Sequence, residues 1–320
     1  FRNKIINGSF WVWQRGTSGF DTNDEFTADR WRMIESGGTG VVSRQAFTVG
    51  SEIAGSEYYL NYNVSTASDY TGLKYRIENV KSIEPGTWTI SFWAKHTSAG
   101  PNGGLMIRGG QEFGSGGSTG VSLTSPAAIT TTTSWVRYSK QITIPSISGK
   151  TVGAGSYLQL EIGQGSNAGT GAWNLDIANV QFEKGSTVTD FEQKGYAQEL
   201  LDCQRYYQLL VIGVDGDTMY YGGAGSWYAA SAAYQPINLP VFMRTGPSAT
   251  WSTGTGYFQL THNGTNDSTD DPAGWYGSWV GGGALYYQGG QNNLSNGTAG
   301  HSFIASATET AAWIALSAEL

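Results

Sequence analysis

The sequence predicts an all-β chain: two β-sandwich domains joined by one short α-helix. Three observations carry this. The 320 residues include 46 glycines and 8 prolines, more turn formers than an average chain holds. Charged residues are only 13% of the total, about half of the usual ~25%. Aromatic residues reach 13%, and many sit in short runs of alternating polar and apolar residues. A coiled-coil rod would need more charge, and a disordered chain would lack the aromatics. The glycines have no three-residue period, so collagen is excluded. No apolar run approaches the ~18 residues of a membrane span, so no membrane insertion is expected.

The elements follow in order. In the first segment, residues 1–188, Thr87 to Lys95 puts Trp88, Ile90, Phe92 and Ala94 on one face and Thr87, Thr89 and Ser91 on the other. That is a half-buried strand, preceded by the Pro85-Gly86 turn. Trp135 to Ile144 alternates again through Val136, Tyr138, Ile142 and Ile144, and Pro145 stops it. Tyr157 to Ile162 puts Leu158, Leu160 and Ile162 on one face. Trp173 to Phe182 is a further strand whose parity slips between Ile177 and Val180, which predicts a bulge near Asn179. Trp31, Trp88 and Trp173 lie in patterned strands and are expected in the core. Ala99 to Gly120 is dense in glycine and reads as an exposed loop, a candidate binding loop. Short strands of this kind, separated by such turns, predict a sandwich.

Residues 189–210 break the pattern and predict the connecting helix. Tyr196, Leu200, Cys203, Tyr207 and Leu210 are spaced four, three, four, three, an amphipathic stripe. Thr189-Asp-Phe-Glu192 before it fits a capping box. The third segment, residues 211–320, returns to strands and is long enough for a second small sandwich. Pro240 to Arg244 reads as a strand, Gly246-Pro247 as a turn into the next strand, and Ala311 to Leu320 as a closing strand. In Trp227-Tyr228 and Tyr286-Tyr287 one member of each pair is expected to be buried and the other exposed.

Charge and cysteine content bound the function. The net charge is −7, with no basic patch to neutralise phosphates, so nucleic acid is not an expected partner. One cysteine, Cys203, excludes an internal disulfide framework and a cysteine zinc site. His96, His262 and His301 lie far apart, with no metal-binding spacing. No nucleophile elbow or phosphate loop is present, and no long regular repeat of the kind a β-helical depolymerase shows. Two acidic clusters, one of Asp21, Asp24, Glu25 and Asp29 and one of Asp267, Asp270 and Asp271, read as solvated turn carboxylates. No catalytic or metal residue is predicted. The first residue is Phe1 rather than Met, so residues upstream are expected.

Several strings together resemble a family of bacteriophage tail-fibre and virion-surface proteins. They are Asn3-Lys-Ile-Ile-Asn-Gly-Ser-Phe10, Trp13-Gln-Arg-Gly-Thr17, Thr27-Ala-Asp-Arg-Trp31, Ser91-Phe-Trp-Ala-Lys95, Asn179-Val-Gln-Phe-Glu-Lys-Gly185 and Glu199-Leu-Leu-Asp-Cys-Gln-Arg-Tyr-Tyr-Gln208. Met243-Arg244 with Pro247, and the terminal Ala318-Glu-Leu320, extend the match over nearly the whole chain. The resemblance implies a jelly-roll module similar to carbohydrate-binding modules (residues 1–188), the helix (189–210) and a C-terminal β domain (211–320). It implies a virion-surface location, synthesis in bacterial cytoplasm, assembly as a homotrimer and contact with other virion proteins. Such jelly rolls often carry a structural calcium, with a Glu after the Asn-Gly-x-Phe opening. Here that position is Trp11, and Asp176 alone matches a ligand position, so no cofactor is expected.

The expected function is non-enzymatic attachment to host surface polysaccharide. Sugar rings stack on Trp and Tyr while polar groups bond their hydroxyls. Trp275, Tyr276 and Trp279, preceded by Asp270 and Asp271, are the candidate glycan-binding residues. Leu200, Cys203 and Tyr207 are the candidate trimer contacts, with a helix lying across its own sandwich as the alternative. The rival functions are a structural capsid-decoration or fibre-trunk protein and a polysaccharide depolymerase.

Overall fold

The computed structural model describes residues 2–51, 53, 55–68, 70–165, 168–212, 220–229, 232–254, 258–262, 265–269, 272–288, 299–305 and 312–320. The chain forms two compact units, Phe1–Leu200 with Leu320, and Leu201–Glu319. Both are built from antiparallel strands.

The first unit holds β1 (Trp31–Glu35), β2 (Thr39–Ala46), β3 (Tyr58–Thr66), β4 (Thr71–Glu78), β5 (Gly86–Lys95), β6 (Leu105–Glu112), β7 (Val121–Ser122), β8 (Val136–Ile144), β9 (Tyr157–Gln164) and β10 (Trp173–Lys184). They form two five-stranded sheets, β1-β4-β9-β6-β7 and β2-β3-β10-β5-β8. The chain crosses repeatedly from one sheet to the other, the jelly-roll arrangement.

Period-two patterning places the core between the sheets. Trp31, Tyr62, Tyr75, Trp88, Phe92, Trp173 and Phe182 are buried there with aliphatics from every long strand. Burying each such side chain contributes roughly 1.5–3 kcal/mol. Trp88 stacks on Phe182 with centroids 4.9 Å apart. The four core indoles also reach acceptors, Trp13 Nε1 donating to Phe10 O (2.7 Å). Trp31 Nε1 donates to the Asn7 carbonyl (3.1 Å), Trp88 Nε1 to Glu84 O (2.8 Å) and Trp173 Nε1 to Gln164 Oε1 (2.8 Å). A buried donor left unpaired would cost about 1–3 kcal/mol.

The expected bulge is present. The β10–β5 register shifts between Ala178 and Gln181, and Asn179 takes a positive φ of 52°. The bulge receives the N-terminal segment. Val180 N donates to Gly8 O (2.9 Å), and Asn3 Oδ1 accepts from Phe182 N (2.9 Å). A Cβ on Gly8 would lie 2.2 Å from Val180 O, so only glycine fits. Asn7 closes its own loop, giving Nδ2–H to Val12 O (2.8 Å) and accepting from Val12 N (3.0 Å). The Asn-rich opening string is therefore a clasp of backbone hydrogen bonds.

Three readings of the sequence are corrected. Ala99 to Gly120 is not one exposed loop. Residues 105–112 are β6, paired with β9 and β7, with Leu105, Ile107 and Gln111 buried. Gly109 permits this, because a Cβ there would meet Gln159 O of β9 at 2.2 Å. The helix does not span 189–210. Residues 189–195 have no regular structure, and α1 is only Tyr196–Gln204. Thr189 bonds back to the Glu183 carboxylate (2.6 Å to its hydroxyl) instead of capping a helix. Tyr207–Ile212 is strand β11, because a nine-residue helix is marginal and this aromatic and aliphatic run finds a strand partner. Pro240 to Arg244 is also not a strand. Pro240 brings no N–H, and the segment is held by Met243 N to Val280 O (2.7 Å) and Arg244 N to Arg205 O (2.8 Å).

The second unit holds β11, β12 (Tyr220–Ala229), β13 (Ala232–Asn238), β14 (Ser248–Trp251), β15 (Phe258–His262), β16 (Thr265–Thr269), β17 (Gly274–Trp279), β18 (Gly282–Gln288), β19 (Ala299–Ala305) and β20 (Trp313–Ser317). A three-stranded sheet, β11-β20-β14, and a seven-stranded sheet, β16-β15-β19-β12-β13-β18-β17, result. The expected closing strand, β20, is the centre of the small sheet. Ile237, Leu239, Met243, Phe258, Leu285, Tyr287, Ile314 and Leu316 form the core.

Candidate functional site

The three aromatics proposed for glycan contact lie on β17, at the edge of the seven-stranded sheet. β17 pairs with β18, setting Trp275 opposite Leu285 and Gly274 opposite Tyr286. β18 in turn sets Tyr286 opposite Tyr234 of β13. Alternation then separates the residues. Leu285 and Tyr287 enter the core, while Tyr286 is half-exposed. Burial pushes the Tyr287 hydroxyl well above its ordinary pKa. Trp275 packs inward against this core. Gly283 makes room for it, since a Cβ there would lie 2.3 Å from the indole.

Tyr276 takes the opposite face and is 51% exposed. Its ring meets Tyr286 edge-on at 5.3 Å and Tyr234 at 6.0 Å, and those two rings lie 5.0 Å apart. Three tyrosines from three adjacent strands thus form one aromatic surface. Trp279 is 49% exposed but belongs elsewhere. The register shifts between Tyr276 and Trp279, and Trp279 lies beside Gly281 and Phe242, the latter 70% exposed. So the structure brings Tyr276 to Tyr234 and Tyr286, turns Trp275 inward and sets Trp279 with Phe242. Asp270 and Asp271 lie outside the described residues, as do the side chains of Asp267, Trp227 and Tyr228.

Sequence reasoning missed Tyr234 and Phe242. Tyr234 could have been found from the alternation of β13, where Gln235 and Ile237 are buried and Tyr234 takes the other parity. Phe242 carried no local signal, because its strand pattern was a misreading.

A second aromatic cluster, also missed, lies on the outer face of the β2-β3-β10-β5-β8 sheet. Phe47, Tyr59 and Trp135 meet pairwise at 4.9–5.3 Å, and Lys95 Nζ sits 5.2 Å above the Trp135 ring. Beside it Asp176 accepts from Asn61 Nδ2 (2.6 Å) and faces Lys95 Nζ at 3.6 Å. Burial raises the Asp176 pKa, and Asn61 and Lys95 only partly oppose this.

These contacts test the two calcium positions. Trp11 offers no side-chain oxygen, and the Asp176 carboxylate is engaged by Asn61 and Lys95, so the side chains at these positions do not fit a calcium ion. Among the described residues no three His, Cys, Asp or Glu side chains converge to hold a metal. The N-terminal acidic cluster is not uniformly solvated either. Asp29 is fully buried and accepts from Gln14 N (2.9 Å), while Asp24 pairs with Arg32 and Lys74.

The trimer stripe does not survive as a helical face. Cys203 and Tyr207 are covered by their own chain, and Tyr207 lies on β11. Leu200 is half-buried. Leu201 of α1 is exposed and lines an open groove of about 600 Å³ with Asp202, Arg205, Pro240, Val241 and Phe242.

No family model matches the chain, and no curated protein matches it. Solved structures give weak likenesses. A CBM22-1–GH10 fragment of Clostridium thermocellum xylanase 10B, solved with xylohexaose, is 12% identical over 53% of this chain, with a TM-score of 0.31. The enzymatically active domain of bacteriophage CBA120 tailspike protein 4 is 15% identical over 57% of the chain, with a TM-score of 0.33. The CBM22-1 xylan-binding domain of Paenibacillus barcinonensis Xyn10C is 16% identical over 53% of this chain and 99% of its own, with a TM-score of 0.33. This chain spans 28% of the xylanase fragment and 21% of the tailspike domain. Likenesses at this level do not assign the chain to a family.

Proposed function

We propose that the chain is a non-enzymatic fibre or spike protein of a phage virion, homotrimeric, that attaches to glycans of the host surface. In this reading it is made in the bacterial cytoplasm and joins other virion proteins. The observation that carries glycan binding is the exposed tyrosine surface of β13, β17 and β18. Large aromatics held half in solvent lose burial free energy unless a partner covers them. Sugar C–H faces stack on such rings. Tyr234 and Tyr286 fix the orientation of Tyr276, so little side-chain entropy remains to be lost on binding. Three copies on one trimer would add avidity toward a repeating polysaccharide.

Binding of the full chain to an array of bacterial surface polysaccharides tests this. Tyr276→Ala is expected to weaken binding about tenfold, as loss of one stacked ring predicts. Unchanged binding would remove this surface as the receptor site. A second reading, a structural fibre or capsid-decoration protein, is favoured by Phe242 and Leu201. Their exposed apolar surface beside the groove suits contact between subunits. In that case Phe242→Ala would dissociate the oligomer, and no polysaccharide would be retained.

A further inference from the structure

A separate cavity lies at one end of the first unit's sandwich. It measures about 290 Å³ and is lined by Trp11, Arg44, Glu57, Tyr58 and Tyr196. Phe10 takes a positive φ of 56°, so Phe10 and Val12 are buried while Trp11 turns outward. Asn7 N donates to the Glu199 carboxylate, which ties α1 to the N-terminal loop. Tyr196 lies three residues before Glu199 and comes to rest 6.4 Å from the Trp11 ring. The third wall comes from the β2–β3 ladder. Arg44 pairs with Leu60 and Ala46 with Tyr58, and the Arg44 guanidinium stacks 4.3 Å above the Tyr58 ring.

We infer that this cavity is a binding site for a single neutral pyranose ring, distinct from the tyrosine surface of the second unit. Four features point to that ligand. Trp11 and Tyr196 offer two ring surfaces for sugar C–H faces. Arg44 can only donate and Glu57 can only accept, and a hydroxyl does both, so adjacent hydroxyls satisfy the pair. One cation and one anion line the cavity, so a charged ligand gains no net attraction there. The volume lies at the small end of ligand cavities, ~300 Å³, and suits one ring. An independent observation adds to these. The four core indoles of the first unit all reach acceptors, whereas Trp11 Nε1, also buried, finds none among the described residues. A hydroxyl in the cavity could supply that acceptor after a small rotation of the indole.

The inference does not depend on the proposed attachment function, and its test separates the two. Saturation-transfer NMR on the full chain would use methyl glucoside, galactoside and mannoside as probes, with anionic methyl glucuronide and the cation methylguanidinium as charged comparators. Saturation is expected to reach the ring protons of at least one neutral glycoside. It should fall about fivefold, the loss of ~1 kcal/mol, in both Tyr196→Ala and Arg44→Met. It should persist in Tyr276→Ala. Tyr196 is 53% exposed, so its replacement leaves the core intact, and unfolding midpoints would verify this for both variants. No transfer to any neutral glycoside, transfer unaffected by Tyr196→Ala, transfer abolished by Tyr276→Ala, or binding of only the charged comparators would each overturn the inference.

Discussion

At the scale of single residues, burial decides what a side chain does, and Glu35 makes the point. It ends β1 and is only 4% exposed. Burial, opposed by the Tyr62 hydroxyl and reinforced by Asp21, pushes its pKa from about 4.5 up to about 7. Gly40 leaves room for it, since a Cβ there would lie 2.6 Å from Oε1. The folded state keeps this proton over a range in which the unfolded chain has released it. The stability it contributes is therefore complete below about pH 4.5 and is lost as pH rises through 7. Glu35→Gln carries no such titration. The variant is expected to match the parent near pH 4 and to exceed its stability by about 2 kcal/mol at pH 8. Thermal unfolding at the two pH values checks this, and a difference that does not grow with pH would show that Glu35 ionises normally. Nothing in the sequence marked Glu35, because its neighbours Tyr62, Gly40 and Asp21 come from other parts of the chain. Trp31, Trp88 and Trp173 were legible as core residues, because each sits in a strand whose parity the sequence displays, whereas the buried Trp13 lies outside any strand and was not. That Trp275, a candidate glycan contact, packs inward could not be read locally, because the space that accepts its ring is made by Gly283 on the next strand.

At the scale of elements, glycine carried two opposite meanings. Between Ala99 and Gly120 it suggested a loop, yet Gly109 lies in β6, where β9 approaches too closely for any side chain. Gly109→Val is expected to destabilise the protein by about 2 kcal/mol. Gly195, just before α1, has open space around its Cβ position and no positive φ. Gly195→Ala is expected to stabilise by about 0.5 kcal/mol through loss of unfolded-state freedom. Denaturant midpoints of the two variants would separate these roles, and equal midpoints would contradict the β6 packing. The helix shows the same competition. The apolar stripe continued to Leu210, but backbone pairing with β20 takes the chain from Tyr207 onward. A strand partner more than a hundred residues away cannot be read from local spacing.

At the scale of the whole molecule, the proposed fibre or spike is expected to show a solution mass near three times 34.3 kDa by light scattering. A monomer would remove both the avidity argument and the homotrimer. Such a trimer would not meet through Cys203 and Tyr207, which each chain already buries, and Leu201 with Phe242 becomes the surface to map. By itself the sequence determined that this is an all-β chain with a short helix, where β5, β8, β9 and β10 run, that β10 bulges at Asn179, and that Trp31, Trp88 and Trp173 enter the first core. Those features depend on local alternation, and one strand's pattern records them. Tertiary structure alone decided that β6 is a strand, that α1 stops at Gln204, that Tyr276 joins Tyr234 and Tyr286, and that Trp11 and Tyr196 meet in the wall of a cavity. Each of these depends on residues far apart in sequence meeting across a sheet or around a cavity, and spacing along the chain does not encode such meetings.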